Sequence, residues 1–156
     1  MQLLTTPTPN CPNSFTFTVL GKPAPQGSKR HIGRGVMIES SKRCMPWRRN
    51  VRQTAEGLLP RNWYAMMDRA MAMTVAFVFP RPKSDFKPNG ELRPDAPKHC
   101  KKIVGDTSKL VRSTEDALEG LVYKNDAQLV IINAHRRYAT SNEQPCAIIT
   151  ITALDE

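Results

Sequence analysis

Apolar residues alternate with polar ones in several segments of the chain, and this spacing predicts β-strands. Phe15, Phe17 and Val19 alternate in this way near the N-terminus, as on a strand with one buried face. Residues 73–79 form a second predicted strand of the same kind. Continuous apolar, β-branched residues predict a buried strand at 127–134 and a further strand at 146–154, and residues 35–39 indicate a short one.

Two other segments show the spacing of an amphipathic α-helix. The first covers residues 46–60, and its buried face is formed by Trp47, Val51, Ala55 and Leu58. The second begins at Asp106, and its apolar face is formed by Leu110, Thr114, Ala117, Leu118 and Leu121. The opposite face of the second helix carries Lys109, Arg112 and Asp116, with Ser113 at its edge.

The order of the predicted elements indicates the fold class. A strand, a short strand, a helix and a strand precede a long loop, which is followed by a helix and two strands. The loop, residues 80–105, holds five of the thirteen prolines, and loops of this length are usually functional or disordered. Residues 1–13 lack periodicity and predict a flexible tail. We expect a single α+β domain at 14–156, with a mixed β-sheet packed mainly by two helices.

Length and composition exclude several classes of protein. A chain of 156 residues buries a substantial core, and it contains no apolar run of about 18 residues that would span a membrane. The N-terminus lacks the basic start and apolar core of a secretory signal, so a cytoplasmic protein is the default expectation. The four cysteines form no CxxC pair, which argues against a structural zinc site or a disulfide framework. The adjacent His99 and Cys100 supply only half of a metal site.

Positive charge is concentrated in one part of the chain. The formal net charge is +9, and residues 22–52 contain nine Lys or Arg residues and one acid, Glu39, for a local charge of +8. Such clustering favours a polyanionic partner, with nucleic acid ahead of an acidic membrane surface. The predicted DNA-binding residues are Lys22, Lys29, Arg30, Arg34, Arg48, Arg49 and Arg52, together with Lys101 and Lys102 of the long loop.

Three carboxylates, those of Asp106, Asp116 and Asp126, lie on the second helix or in the turn after it. A hard cation such as Mg²⁺ binds one or two carboxylates, several waters and phosphate oxygens. These acids therefore predict a metal site if the following strand packs back on the helix. A purely structural interpretation is also open, in which Asp106 caps the helix, Asp126 is a turn residue and Asp116 pairs with Arg112.

The same segment resembles the core motif of the RusA family of Holliday junction resolvases, which occur in phages and prophages. That family carries Asp-x-Asp-Asn/Lys-Leu, then Asp-Ala-Leu, then Asp-Asp-(Ala/Ser)-Gln-(Val/Ile). The matching residues are Asp106, Lys109, Leu110, Asp116, Ala117, Leu118, Asn125, Asp126, Ala127 and Gln128, with Arg112 where the family often has Lys. The chain departs from the pattern at Ser108 and Asn125, where the family has acids. Residues 21–27 resemble the family's Gly-Lys-Pro-x-Pro-x-Gly segment.

The resemblance implies a homodimeric, Mg²⁺-dependent endodeoxyribonuclease that cuts paired strands at four-way DNA junctions in recombination and repair. Mn²⁺ is an alternative metal. The resemblance further implies that Asp106 and Asp126 hold the ion, with Asp116 as a contributor. Arg112 or Lys109 would then stabilise the charge that develops on the phosphate. The expected setting is the cytoplasm of a bacterium or of a phage-infected host.

Two alternative functions follow from the same residues. Ser108 removes one of the family's carboxylates, which favours a structure-specific DNA-binding module that has lost cleavage activity. A basic module for single-stranded RNA is the other alternative, and it requires aromatic side chains exposed on a strand face. The available pairs are Phe15 with Phe17 and Phe77 with Phe79, whose spacing is also that of core residues.

Overall fold

The fold is built on one four-stranded β-sheet with two α-helices packed against it. The computed structural model describes residues 12–39, 41–101 and 105–155. Most of the predicted flexible tail, residues 1–11, lies outside the described residues, as does Lys102. The main elements are β1 (Ser14–Leu20), β2 (Lys29–His31), β3 (Met37–Glu39), α1 (Cys44–Leu58), β4 (Met71–Phe79), α2 (Thr107–Leu118), β5 (Leu129–Tyr138) and β6 (Cys146–Ala153).

The four-stranded sheet is mixed, with strand order β1-β6-β4-β5. β6 pairs antiparallel with both β1 and β4, whereas β4 and β5 run parallel. A parallel pair requires a long crossover connection, and the predicted long loop together with α2 provides it. This arrangement confirms the prediction of an α+β domain with a mixed sheet and two helices.

Alternation along the inner strands determines which face of the sheet meets the helices. In β4 every second residue from Met71 to Phe79 is buried, and Ile149 and Ile151 of β6 lie on the same face. Removing this apolar surface from water is the main favourable contribution to folding. The helices cover the face chiefly with Trp47, Val51 and Ala55 of α1 and Leu110, Ala117 and Leu118 of α2, as their spacing predicts. Leu58, predicted on the buried face of α1, is instead 58% exposed at the last residue of the helix.

The prediction that β5 is a buried strand is wrong. Within the described residues β5 pairs only with β4, so it is an edge strand, and Val130, Ile131 and Ile132 are 61%, 48% and 39% exposed. Apolar, β-branched composition predicts a strand but does not distinguish an edge strand from a central one. β5 also extends to Tyr138, so the basic residues 135–137 lie within the strand rather than at its end.

Several element boundaries differ from those that the spacing predicts. α1 begins at Cys44, so Pro46 is its third residue instead of its first; both positions lie in the first turn, where backbone N–H groups have no helical partner. α2 ends at Leu118, and Leu121 packs against the core from the following turn. β2 has no counterpart in the prediction, because a three-residue strand of Lys, Arg and His shows no apolar alternation.

The loop after β1 is fastened to the start of α2. The N–H of Gln26 donates to the carbonyl of Lys109 at 3.0 Å. Pro25 packs so closely on Gly105, which has a φ of +91°, that a Cβ at residue 105 would overlap the proline ring. The carbonyl of Gly105 accepts a hydrogen bond from the guanidinium of Arg136 at 2.7 Å. The loop, α2 and β5 therefore meet at one place, which we call the Pro25–Gly105 clasp.

The clasp predicts a difference in stability between two glycine substitutions. Gly105→Ala places a methyl group against the Pro25 ring and strains a positive φ, so we expect it to lower the free energy of unfolding by about 2–3 kcal/mol. Gly90→Ala is the matched control, since Gly90 has a φ of +86° but open space around it. We expect a loss of about 1 kcal/mol for the control in urea denaturation. Equal losses would mean that the contact with Pro25 contributes nothing.

Candidate active site

Arg112 lies among three carboxylates at the surface of α2. Its guanidinium nitrogens are 3.5 Å from Asp126 Oδ2, 3.9 Å from Asp116 Oδ1 and 3.9 Å from Glu115 Oε2. These distances exceed those of ordinary hydrogen bonds, so Arg112 offsets negative charge without being locked to one partner. The Arg112 side chain is also 56% exposed, which leaves it accessible to a ligand. We call Glu115, Asp116 and Asp126 the acid cluster.

A tightly bonded turn places Asp126 in the acid cluster. Asp126 opens a short 3₁₀ helix, and the side chain of Asn125 caps that helix by accepting from the N–H of Ala127 at 2.8 Å. The side-chain oxygen of Gln128 accepts in return from the N–H of Asn125 at 2.9 Å. The amide nitrogen of Gln128 donates to the carbonyl of Met67 at 2.7 Å, which ties the turn to the chain before β4. Asn125 and Gln128 therefore position the carboxylate that lies between them.

Asp116 faces α1 rather than solvent. Arg48 Nη2 lies 2.6 Å from Asp116 Oδ2, and the two side chains are only 22% and 25% exposed. Arg52 Nη1 donates to the carbonyl oxygens of Ala117 and Glu119, at 3.3 and 2.9 Å, where α2 ends and its carbonyls lack helical partners. Arg48 and Arg52, both predicted to bind DNA, therefore also hold α1 against α2.

Glu115 belongs to the acid cluster although the sequence did not identify it as a site residue. Its side chain is 10% exposed. Burial raises the pKa of Glu115 above its usual range; Arg112 opposes this shift, and the other two carboxylates of the acid cluster reinforce it. Val111, Glu115 and Leu118 recur at helical spacing and form a second buried stripe on α2. That spacing is the signal from which the burial of Glu115 was predictable.

The start of α2 carries the other predicted site residues. Asp106, Ser108 and Lys109 are exposed. The carbonyl of Asp106 accepts from the N–H of Leu110, but the Asp106 side chain makes no capping hydrogen bond, so its interpretation as a side-chain cap is wrong. Among the described residues, no ion pair joins Asp106 to Arg112. The structure thus groups Asp116 and Asp126 around Arg112, and Asp106 is not among the ion-pair partners of that cation.

The donor chemistry of the acid cluster fits a hard divalent cation. Carboxylate oxygens are the ligands that Mg²⁺ prefers, and this ion commonly binds one or two of them and keeps several waters. In the parts of the chain that the structure describes, no three His, Cys, Asp or Glu side chains are placed to hold one ion. His99 and Cys100 therefore do not belong to such a group among these residues. One or two carboxylates of the acid cluster would be enough to hold such an ion, with waters completing its coordination.

The predicted DNA-binding residues fall into two groups. Arg48 and Arg52 bond to α2, although Arg52 is also exposed. The others that the structure describes make no such bond and are exposed, namely Lys22, Lys29, Arg30, Arg34, Arg49 and Lys101. A cleft of about 340 Å³ between the helices is lined by Met45, Arg48, Arg49, Arg52, Asp116 and Ala117. Positive side chains thus border the acid cluster on its α1 side.

The aromatic pairs that the RNA-binding alternative requires are not available on the surface. Phe17, Phe77 and Phe79 are at most 2% exposed. Phe15 packs edge-on against Trp63, with ring centroids 4.7 Å apart. Phe17, Phe77 and Phe79 belong to the core and Phe15 packs against it, so neither pair presents two free ring faces to the bases of a single strand.

The chain matches one protein-family model over most of its length. The model is that of Endodeoxyribonuclease RusA, and the match covers residues 21–152. The chain belongs to the RusA family. No curated protein sequence matches it significantly. Membership of the RusA family implies an endonuclease that resolves Holliday junctions.

The RusA match includes every part of the candidate site. The loop at 21–27, α1, α2 and the turn that carries Asp126 all lie within the matched residues. The resemblance inferred from the motif around Asp106, Asp116 and Asp126 is therefore confirmed at the level of the family. Neither helix of the described residues has the length and apolar character needed to cross a bilayer.

The raised pKa of Glu115 predicts that Glu115→Gln stabilises the metal-free protein. Burial disfavours ionised Glu115, so the fold loses stability as pH rises through the pKa of Glu115 in the folded state. At a pH below the usual glutamate pKa of 4.5, Glu115 is protonated and therefore as neutral as the glutamine that replaces it. The gain in stability from the substitution then disappears. We expect melting in EDTA to occur a few degrees higher for the variant at about pH 8 and at nearly the same temperature at about pH 4.

Glu91→Gln is the matched control, because Glu91 is 67% exposed in an ion pair with Lys87. Exposed pairs contribute little, so its melting temperature should change by about 1 °C or less. A Glu115→Gln protein that melts below the wild type at both pH values would show that the contact with Arg112 outweighs the cost of burial.

Proposed function

We propose that this RusA-family protein is a Mg²⁺-dependent, structure-specific endodeoxyribonuclease that resolves four-way DNA junctions by phosphodiester hydrolysis in recombination and repair. The observation that carries the proposal is the position of Arg112, which lies 3.5–3.9 Å from three carboxylates. A cation and several carboxylates in one small region are the groups that metal-assisted phosphate chemistry uses. The family match extends over this whole region.

Asp106 and Asp126 are the proposed ligands of the ion, with Asp116 as a contributor and Mn²⁺ as an alternative to Mg²⁺. Asp106 is exposed and makes no capping hydrogen bond, so its carboxylate can turn toward an ion without losing one. Asp126 is held by a rigid turn and therefore needs little reorganisation. When bound, the ion supplies Lewis acidity toward the phosphate and lowers the pKa of coordinated water.

Arg112 has two functions in the proposed mechanism. Before substrate binds, its guanidinium offsets the negative charge of the acid cluster. When a phosphate arrives, the guanidinium donates to its oxygens and stabilises the charge that develops during hydrolysis. Lys109 lies three residues earlier on the same helix and is exposed, so it is the second cation placed to stabilise this charge or the leaving oxygen.

The predicted DNA-binding cations supply the affinity for DNA in this proposal. Contacts between basic side chains and phosphates release counterions, and they account for much of the binding free energy of such proteins. The residues proposed to make these contacts are Lys22, Lys29, Arg30, Arg34, Arg48, Arg49, Arg52, Lys101 and Lys102. Arg48 and Arg52 serve a second purpose, since they also bond to α2.

A junction-binding module without cleavage activity is the second candidate. Ser108 favours it, because an exposed hydroxyl stands where the family pattern has an acid. Arg48 favours it too, because its 2.6 Å contact already occupies one oxygen of Asp116. Such a module would use the same basic surface and the same substrate. The two candidates differ in one result, which is nicking of a four-way junction that depends on Mg²⁺ or Mn²⁺.

We predict that Asp126→Asn abolishes most cleavage and leaves junction binding intact. Removing the charge of a proposed metal ligand should lower the cleavage rate by roughly two orders of magnitude or more. Affinity for a four-way junction in EDTA should stay the same or rise, since less negative charge then faces the phosphates. Asp95→Asn, an equal change in the exposed long loop, is the control and should cleave normally. Normal cleavage by a folded Asp126→Asn protein would contradict the assignment.

Ser108→Asp separates the two candidate functions. The substitution restores the acid of the family pattern, so it should raise the nicking rate at low Mg²⁺ if residue 108 faces the ion. The measurement is junction nicking over a Mg²⁺ titration, with wild-type protein and Ser108→Asp side by side. Absence of nicking by both proteins, with Mg²⁺ and with Mn²⁺, would favour the module that has lost cleavage.

We also propose that the protein acts as a homodimer in the cytoplasm of a bacterium or of a phage-infected host. A four-way junction presents two equivalent scissile phosphates, which two symmetric copies of one site can engage together. Sedimentation at micromolar concentration without DNA should therefore give a dimer. A protein that is monomeric both alone and on the junction would contradict this proposal.

A further inference from the structure

A small β-hairpin stands apart from the four-stranded sheet. β2 and β3 pair antiparallel with each other and form a separate two-stranded sheet. All of residues 29–38 are exposed. We call residues 29–39 the basic hairpin, because it carries Lys29, Arg30 and Arg34. A hairpin of this size is marginally stable by itself, so a partner that packs on it would also order it.

One face of the basic hairpin is aliphatic. Arg30 pairs with Ile38 across the strands, and the N–H of Ile32 donates to the carbonyl of Val36 at 3.0 Å. Alternation along each strand therefore places Arg30, Ile32, Val36 and Ile38 on one face. The aliphatic side chains on this face are exposed by 54% at Ile32, 48% at Val36 and 37% at Ile38. The basic hairpin thus combines apolar surface with positive charge.

The tip of the hairpin presents an arginine in an unusual backbone conformation. Gly33, Arg34 and Gly35 have φ values of +100°, +51° and +75°. Positive φ is unfavourable for a residue with a side chain, and glycine would suit the middle position as well as it suits the other two. An arginine at this position places a cation at the tip of the basic hairpin, next to the aliphatic face.

The hairpin also begins close to the proposed catalytic helix. Gln26 bonds to Lys109, and Lys29 follows only three residues later, so at most about 11 Å of chain separates them. The Pro25–Gly105 clasp fixes the same loop immediately before Asp106. DNA bound at the start of α2 is therefore within reach of the basic hairpin.

We infer that the basic hairpin enters the open centre of branched DNA, where its aliphatic face contacts unstacked bases and Arg30 and Arg34 contact the flanking phosphates. This inference rests on the proposed function, because it assigns the basic hairpin to the recognition of the same substrate. A two-stranded ribbon is narrow enough for a DNA groove, and aliphatic side chains act as wedges between bases where stacking is interrupted.

The positive charge of the basic hairpin favours DNA over a second copy of the chain as the partner of its aliphatic face. Arg30 lies on the same face as the aliphatic residues and Arg34 lies at the tip of the hairpin, so a second copy of the chain would bring the same cations against this face. Polyanionic DNA attracts this charge instead. Contact with phosphates alone would not bury the aliphatic side chains. They therefore favour DNA in which base faces are accessible, such as a branch point, rather than an uninterrupted duplex.

The test is a triple variant with Ile32→Thr, Val36→Thr and Ile38→Thr. Threonine keeps the β-branched shape that suits a strand while removing apolar surface. Binding is measured in EDTA, for the four-way junction and for linear duplex of the same sequence. We expect junction affinity to fall by about tenfold or more, from the lost burial of the methyl groups. Duplex affinity and its salt dependence should be unchanged, because the phosphate contacts remain.

A fluorescent base analogue at the branch point provides a direct readout. Its emission should rise when the wild-type protein unstacks it, and this rise should be lost with the triple variant. Val130→Thr is the matched control, since Val130 is 61% exposed on a strand outside the basic hairpin, and this variant should behave as wild type. By contrast, Arg30→Gln with Arg34→Gln should weaken junction and duplex binding alike and lower the salt slope by about 0.9 per lost phosphate contact.

Three results would overturn the inference. If wild-type protein prefers and cleaves the junction while the triple variant matches it, the hairpin assignment alone fails. If the triple variant changes the oligomeric state and keeps the wild-type junction preference, the face is an interface between copies. If wild-type protein shows neither junction preference nor cleavage, the proposed function fails and the hairpin assignment fails with it.

Discussion

Attraction between the arginines of α1 and the C-terminal half of α2 is the interaction on which the candidate site depends. Arg48 pairs with Asp116 in a partly buried contact, and Arg52 binds carbonyls at the end of the helix, where the helix dipole is negative. The clasp fixes the other end of α2 through Gly105 and Lys109. Arg112 and the acid cluster therefore lie on a helix that is held at both ends, and their mutual geometry needs little adjustment.

The acid cluster includes one carboxyl group, that of Glu115, whose burial disfavours its charged form. Glu115 is buried beside two other carboxylates, and the only described cation within ion-pair distance of it is Arg112, at 3.9 Å. In a chain with a net charge of +9, such a concentration of acid is not explained by a general excess of acidic residues. Groups with perturbed pKa values gather at functional sites more often than elsewhere, because chemistry requires environments that folding alone would avoid.

The periodic parts of the fold could be predicted from the sequence, and the contacts between elements could not. Burial of Trp47, Val51 and Leu110 follows from helical spacing, because one face of each helix must meet the sheet. The exposure of β5 could not be predicted, since strand order is set by pairings between distant segments. For the site, the motif predicted that Asp106, Asp116 and Asp126 belong together, and the ion pairs of Arg112 bring together only Asp116 and Asp126.

The motif did not indicate that Arg48 would bind Asp116, because the two residues lie on different helices and no local pattern relates them. The same reason applies to Arg52, which looked like part of a DNA-binding surface and also bonds to the end of α2. Side-chain composition gives the charge of a segment. Only the packing of helices decides whether that charge faces a ligand or a neighbouring element.

The Pro25–Gly105 clasp restricts how sequences with this fold can diverge. A smaller residue at 25 would relieve the crowding, but the φ of +91° would still favour glycine at 105, so the two positions are not equally replaceable. A chimaeric gene that joins the N-terminal part of one such protein to the α2 segment of another would combine a new residue 25 with an old residue 105. The clasp forms in such a hybrid only where the incoming side chain at 25 fits against the glycine at 105, although the two residues are 80 positions apart in the sequence.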